Sequence, residues 1–398
     1  MDGDEARTIG WRLQRIRDAR GKPLRVIAGL AGMSASHLHR IEHGQRPVTL
    51  SEIRALANAL EIAPSELTAL PVPAPANGHT DSTIEAIRLA LDAIDDGQPG
   101  GVVVPVGALA DQVAQIHLQR RACRFAEVAA DLPGLIRNLH TTLATGTEHD
   151  ELLELAVYLH VHVTRHWLLS AAAPTDLLRR VVFLAQWLAR ERGDDTTLAL
   201  AGFGVADELM VRGAFELGRA KLDSIPLPPA SPETFGLLAH LLETQAIAAV
   251  LDGRPADALA PMETAGELAE RFGTTGEIDS CGFVYTPTTT GQMRMFLALE
   301  AGDPDQAASL ARDVAPERHR FPVNRAYFWI HYGRALAQLR WRRDDAIAAL
   351  RTAEDVFPTA VRRHPLVRDV VGTLLPGARQ DAMGMELRGL AYRAGLLV

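Results

Sequence analysis

Apolar residues recur every three or four positions through most of this chain, as in Leu152, Leu153, Ala156, Leu159 and Val163, and again in Leu177, Val181, Leu184 and Leu188. That spacing is the turn of an α-helix, and a chain that keeps it over several hundred residues leaves little room for a sheet. Alternating strand patterns are nearly absent. Val102-Val103-Val104-Pro105-Val106 is the only β-branched run, and its proline and short length predict a loop or the start of a helix. The expected fold class is all-α.

At 398 residues the chain predicts two or three domains with a large buried core. Apolar residues at 47% and charged residues at 23% exclude a disordered or fibrous chain. The two cysteines, Cys123 and Cys281, are too few for a disulfide scaffold and lack metal-ligand spacing, so a reducing cytoplasm is the expected location, with neither metal nor cofactor. The N-terminus is acidic and no apolar run approaches 18 residues, which predicts neither a secretory signal nor a membrane contact.

A net charge of −8 at first argues against a nucleic-acid partner. Its distribution argues the opposite. Between Arg7 and Arg54 ten Lys or Arg stand against three acids, a balance of +7, so the remaining residues sum to −15. Such asymmetry predicts a small nucleic-acid-binding module joined to a larger acidic body. The stretch 71–82 is rich in proline and small polar residues and reads as a linker, giving domains at 1–70 and 83–398.

Five short helices are expected in the first 70 residues. Ile9, Leu13 and Ile16 line the first, and Gly21-Lys22-Pro23 stops it, with Pro23 in the first turn of the second helix. Val26, Ile27 and Leu30 form that helix's apolar face. Ser34 caps a third helix whose Leu38 and Ile41 point inward, and Gly44 ends it. Ile53, Leu56, Ala57 and Leu60 on the next helix close the core, and Pro64-Ser65-Glu66-Leu67 starts the last turn.

The run Ile9-Gly10, Leu13, Arg17, Gly21, Ile27-Ala28, Gly32-Met33-Ser34, Leu38, Arg40-Ile41-Glu42, Gly44, Arg46-Pro47, Leu50, Ile53, Leu56-Ala57 and Leu60 resembles the phage-repressor-like (XRE-type) helix-turn-helix family over about 60 residues. In that family the third helix enters the major groove of double-stranded operator DNA, and dimers read two half-sites. The resemblance implies base contacts from Ala35, Ser36, His39 and Arg40, with His43 at the margin, and phosphate contacts from Lys22, Arg25, Gln45 and Arg46. It also implies a structural pair, Arg17 with Glu42, between the first and third helices. The family's usual glutamine at the start of the second helix is Leu24 here, which leaves Arg25 as the substitute.

In the body a loose repeat pairs helices across a Gly-polar bend, most clearly around Gly253 and Gly302 and more weakly around Gly213 and Arg343-Asp344-Asp345. Its small residues let helices approach closely. The pattern resembles the tetratricopeptide repeat, although its glycines lie 40 and 49 residues apart rather than at the family's 34-residue period. Such an α-solenoid makes a concave surface. Repeat offsets place Asp207, Met210, His240, Glu243, Gln292, Phe296, Tyr327 and Arg334 on it. The densest polar-aromatic cluster, Tyr158 to Trp167, adds His162 and His166, spaced i,i+4 but with no third metal ligand nearby.

No nucleophile elbow, phosphate-binding loop or His-Glu-x-x-His motif is present, so no enzyme is expected. The layout resembles that of peptide-sensing quorum regulators. It implies a homodimeric transcription regulator whose body senses a small-molecule or peptide effector. The alternative is a scaffold or antitoxin-like module whose body binds a partner protein, with DNA contact for autoregulation.

Overall fold

Local sequence signals decide where the first helices start and stop. A computed structural model describes residues 3–46, 48–68 and 78–396, and among these the regular elements are helices, with no strand. Five helices open the chain: α1 (Gly3–Ala19), α2 (Leu24–Leu30), α3 (Ala35–Glu42), α4 (Leu50–Leu60) and α5 (Ser65–Thr68). The Ser34 side chain accepts the His37 amide at 3.2 Å and so caps α3. Thr49 and Glu52 form a reciprocal capping box at the start of α4. Ile9, Leu13, Ile16, Ile27, Leu38, Ile41, Ile53, Leu56, Leu60 and Leu67 meet in one core. At Gly10 a Cβ would overlap the Ile41 carbonyl, so α1 and α3 pack backbone to backbone.

Two details of α2 differ from expectation. Pro23 is the extended residue before the helix, with φ −61° and ψ 143°, and the first turn begins at Leu24. Val26 and Leu30 are exposed, at 46% and 68%, while Ile27 and Ala28 are buried. A helix of seven residues turns only one short face inward, and the neighbours Ile27 and Ala28 occupy it.

The body comprises α6 (Gly78–Asp95), α7 (Val106–Arg121), α8 (Phe125–Leu143), α9 (His149–Leu159), α10 (Arg165–Ser170), α11 (Thr175–Arg192), α12 (Asp195–Val211), α13 (Phe215–Asp223), α14 (Phe235–Leu251), α15 (Leu259–Phe272), α16 (Pro287–Glu300), α17 (Pro304–Leu310) and α18 (Pro322–Gln338). Helix α6 begins at Gly78, within the stretch expected as linker, and residues 71–77 of that stretch lie outside the described residues. The Val102–Val104 segment is a loop held by side chains, Asn138 accepting the Val102 amide and Thr142 the Val104 amide, each at 3.0 Å. Helices adjacent in sequence pack on one another, α11 on α12, α12 on α13, α14 on α15 and α16 on α17, as in a repeat array. The chain reverses at Gly213, Gly253 and Gly302, each with positive φ. Helices α12 and α14 are buried on nearly every side, which matches their apolar and small-residue composition.

Between α9 and α10 the helix continues through one π-helical segment, His160–Thr164. There the Arg165 amide bonds the His160 carbonyl, five residues back, and the Thr164 hydroxyl reaches the Leu159 carbonyl at 3.4 Å. A π segment inserts an extra residue into the turn and turns the side chains beyond it; such segments often lie at functional sites.

The chain closes with α19 (Arg343–Val356), α20 (Pro358–Arg363), α21 (Pro365–Leu374) and α22 (Ala382–Arg393). By its packing it forms two compact units, one of Met1–Ala76, Arg343–Arg351 and Arg362–Val398, the other of Asn77–Arg342 and Thr352–Val361. Helices α21 and α22 and the first part of α19, expected as part of the repeat, thus cluster with the N-terminal helices. Within that unit Met385 packs on the N-terminal core and Arg388 pairs with Glu66. Arg20 reaches Glu386 at 2.9 Å, and Arg351 reaches the same carboxylate at 3.0 Å.

Candidate nucleic-acid interface and body cavity

Burial sorts the residues of α3 into two faces. Leu38 and Ile41 are enclosed in the core, at 0% and 1% exposure, while Ser36, His39, Arg40 and His43 are exposed and Ala35 is half-buried against the core. The His39 and His43 rings lie 4.0 Å apart, and His43 Nδ1 donates to the His39 carbonyl at 2.8 Å. His37 turns away from this face, its Nε2 2.9 Å from a Glu52 carboxylate oxygen. Lys22, Arg25, Gln45 and Arg46 are all exposed. Leu24 is half-buried against the core, so at the start of α2 it is Arg25 that reaches solvent.

Arg17 and Glu42 form a two-pronged pair, Nε to Oε1 at 2.6 Å and Nη2 to Oε2 at 3.1 Å, that ties α1 to α3. Glu42 is buried, and the pair raises the Arg17 pKa above its ordinary value.

The second candidate site is a cavity of about 310 Å³ inside the body unit. Its walls come from the end of α7, the π segment with α10, and α12, α14, α16 and α18. Seven of the ten residues expected on the concave surface line it: His162, His166, Asp207, His240, Glu243, Gln292 and Tyr327. Three do not. Met210 is buried in the core against Gly218, Phe296 lies tilted against His331 with ring centroids 4.5 Å apart, and Arg334 pairs with Glu300 at 2.9 Å. The repeat offset fails for these because the units are irregular in length, so the same offset lands on a different face. Sequence reading missed Arg120, Arg121, Arg165, Phe203 and Phe283, all of which line the cavity.

Hydrogen bonds assign the histidine tautomers. Arg120 and Arg121 both point guanidinium N–H groups at His117 Nε2, at 3.3 and 2.8 Å, so that nitrogen accepts and Nδ1–H donates to the Tyr158 hydroxyl at 2.6 Å. His162 donates from Nε2 to the Cys281 carbonyl at 2.6 Å. His166 Nε2 accepts from Arg165 at 2.9 Å. Burial, followed by the nearby arginines, holds the pKa values of His117, His162 and His166 well below the ordinary histidine value, so all three are neutral. Gly282 seals this wall: its φ is +87°, and a Cβ there would stand 2.6 Å from Tyr158 and 2.7 Å from His162 Nε2.

Arg165 pairs with Asp207, and Arg121 donates to the Gly282 carbonyl at 2.6 Å. Burial pushes the Arg120 pKa down to about 9 and that of Arg121 to about 10, which leaves both charged at neutral pH. Arg120 Nε, Arg165 Nε and Gln292 Oε1 are buried with no hydrogen-bond partner. Among the described residues no group of three or more His, Cys, Asp or Glu is placed to hold a metal ion, and no helix is long and apolar enough to cross a membrane.

Residues 8–70 match the family described as helix-turn-helix domain, so the chain carries such a domain at its N-terminus. No curated protein matches the chain. Among solved structures it is similar to Bacillus thuringiensis PlcR in complex with the peptide PapR7 and DNA, at 12% identity over 88% of this chain and 99% of that one, with a TM-score of 0.34. It is also similar to ComR from S. thermophilus in complex with DNA and its signalling peptide ComS, at 14% identity over 81% and 98%, with a TM-score of 0.31. At scores this low the whole chains do not superpose.

Proposed function

We propose that this protein is a sequence-specific transcription regulator that binds operator DNA as a homodimer and whose helical body receives a small-molecule or peptide effector. The carrying observation is the helix-turn-helix domain with the outward face of α3 bearing Ser36, His39 and Arg40. In this reading Arg40 bonds a guanine edge, Ser36, His39 and Ala35 complete the base contacts, and Lys22, Arg25, Gln45 and Arg46 hold phosphates. The cavity in the body takes the effector, and occupancy alters the spacing of the two reading heads.

Two substitutions separate these roles. Arg40→Ala is expected to weaken binding to the preferred site by about 10- to 100-fold and to relax preference at one base pair. Lys22→Ala is expected to weaken all sequences alike and to lower the slope of log affinity against log salt by about 0.9. Fluorescence anisotropy on a selected site and a scrambled one, across a salt series, reads both. Equal losses on both sequences for Arg40→Ala would remove it from base recognition, and no sequence preference in the unmodified protein would overturn the proposal.

A further inference from the structure

The charge inside the cavity is unbalanced. Three guanidinium groups line it, and Asp207 neutralises one of them, Arg165. Glu243 keeps its charge but is hydrogen-bonded to His240 Nδ1 at 2.6 Å rather than to an arginine, so the guanidinium groups still outnumber the carboxylates three to two. Asp279, the carboxylate acting on Arg121, is occupied by the amides of Gly236 at 2.9 Å and Phe283 at 2.7 Å. The hydrogen-bond partners of Arg120 and Arg121 are neutral, namely His117 and the Gly282 carbonyl, and among the described residues neither arginine makes an ion pair. Buried cations are ordinarily paired, and a buried N–H with no acceptor calls for an explanation. Arg120 Nε and Arg165 Nε are two such donors. Arg165 itself is only 2% exposed. A larger depression bordered by Glu263, Glu267 and Arg294 is more open and gathers mostly exposed carboxylates, so it offers no comparable reason for a ligand.

Resting on the reading of this cavity as the effector site, we propose that it binds a small anionic molecule whose carboxylate or phosphate is held by Arg120, Arg121 and Arg165. Guanidinium forks suit both groups, because each presents oxygens at the spacing of two parallel N–H bonds. Phe203, Phe283 and Tyr327 supply an apolar wall for the rest of the molecule. The volume suits a compact ligand. The uncompensated charge is then the mark of a site built for its ligand at the expense of the empty protein's stability.

Thermal unfolding of the full chain tests this, with sodium phosphate and sodium benzoate as probes and ionic strength held constant with sodium chloride. The midpoint of the body transition is expected to rise with one of the probes relative to chloride in the unmodified protein and not in Arg120→Met. A response to phosphate alone assigns a phosphate ligand, and one to benzoate alone a carboxylate. Without added anion, Arg120→Met is expected to melt about 3 °C higher than the unmodified protein, since it removes an unpaired, half-buried cation whose Nε is buried without an acceptor. Equal anion responses in both proteins, or a lower midpoint for Arg120→Met without anion, overturns the proposal. Anisotropy with DNA on the same preparations keeps the two readings apart: intact sequence-specific binding with no anion response rejects the anionic ligand alone, and an anion response with no sequence preference rejects the regulator alone.

Discussion

Acidification from pH 7 to 5.5 is expected to unfold the helical body of this protein at a pH where the N-terminal head keeps its structure. Six histidines of the body are held neutral by burial: His117, His160, His162 and His166 lie well below their ordinary pKa, and His140 and His319 are lowered to about 4. In the unfolded chain each titrates near 6.5. Below that value the unfolded state takes up protons that the folded state refuses, so stability falls with pH and goes on falling until the folded pKa is reached. Each histidine costs about 1 kcal/mol between pH 7 and 5.5, and six together several kcal/mol, against a typical total of about 5–15 kcal/mol. Burial raises the carboxyls of Asp279 and Glu208, so on acidification the folded state takes up those protons before the unfolded state does; this opposes the trend, but two carboxyls stand against six histidines. Trp167, buried at 1% and stacked on Phe125 at 4.7 Å, reports the body through its fluorescence. The check is a pH titration followed by that emission and by urea midpoints, with uptake of several protons on unfolding near pH 6. A flat profile down to pH 5 would mean that these histidines are not held neutral.

What the sequence revealed and what it hid divide along a physical line. The head was legible because its signals are local: Ser34 caps within three residues of itself, and Leu38 and Ile41 share one face of α3. The inward face of α2 was misjudged because Val26 and Leu30 are apolar yet exposed, and neighbouring helices, not hydropathy, decide which side of a seven-residue helix is covered. In the body, helical period located the helices, repeat offsets brought five cavity residues into view and the polar-aromatic cluster two more. They could not supply Arg120, Arg121 or Arg165, because a buried arginine looks in sequence like a solvated one. The turn of side chains past His160–Thr164 was also hidden, since a π segment depends on which carbonyl an amide selects. Nor does periodicity tell which unit a helix joins: Met385 and Arg388 meet residues more than three hundred positions away.

Arg17→Met is expected to be the most damaging single change in the head. Glu42 is 4% exposed and accepts two bonds from that guanidinium, so removing Arg17 strands a carboxylate in the core between α1 and α3. Stranding a buried charge costs about 3–5 kcal/mol, which in a domain of this size lowers the melting midpoint by more than about 12 °C. The reciprocal change, Glu42→Gln, is milder, because Arg17 is less buried and retains the Lys22 carbonyl at 3.2 Å and Asp18 at 2.7 Å. Combining Arg17→Met with Glu42→Gln removes both desolvated charges together and is expected to recover most of the loss. If the pair serves only to join the helices, the double variant regains DNA affinity along with stability, since neither residue lies on the exposed face of α3. The four proteins of this cycle, measured by calorimetry and by DNA anisotropy, give the coupling directly. A coupling energy below about 0.5 kcal/mol would mean that Arg17 and Glu42 contribute as two independent surface charges, and that core packing alone fixes the angle between α1 and α3.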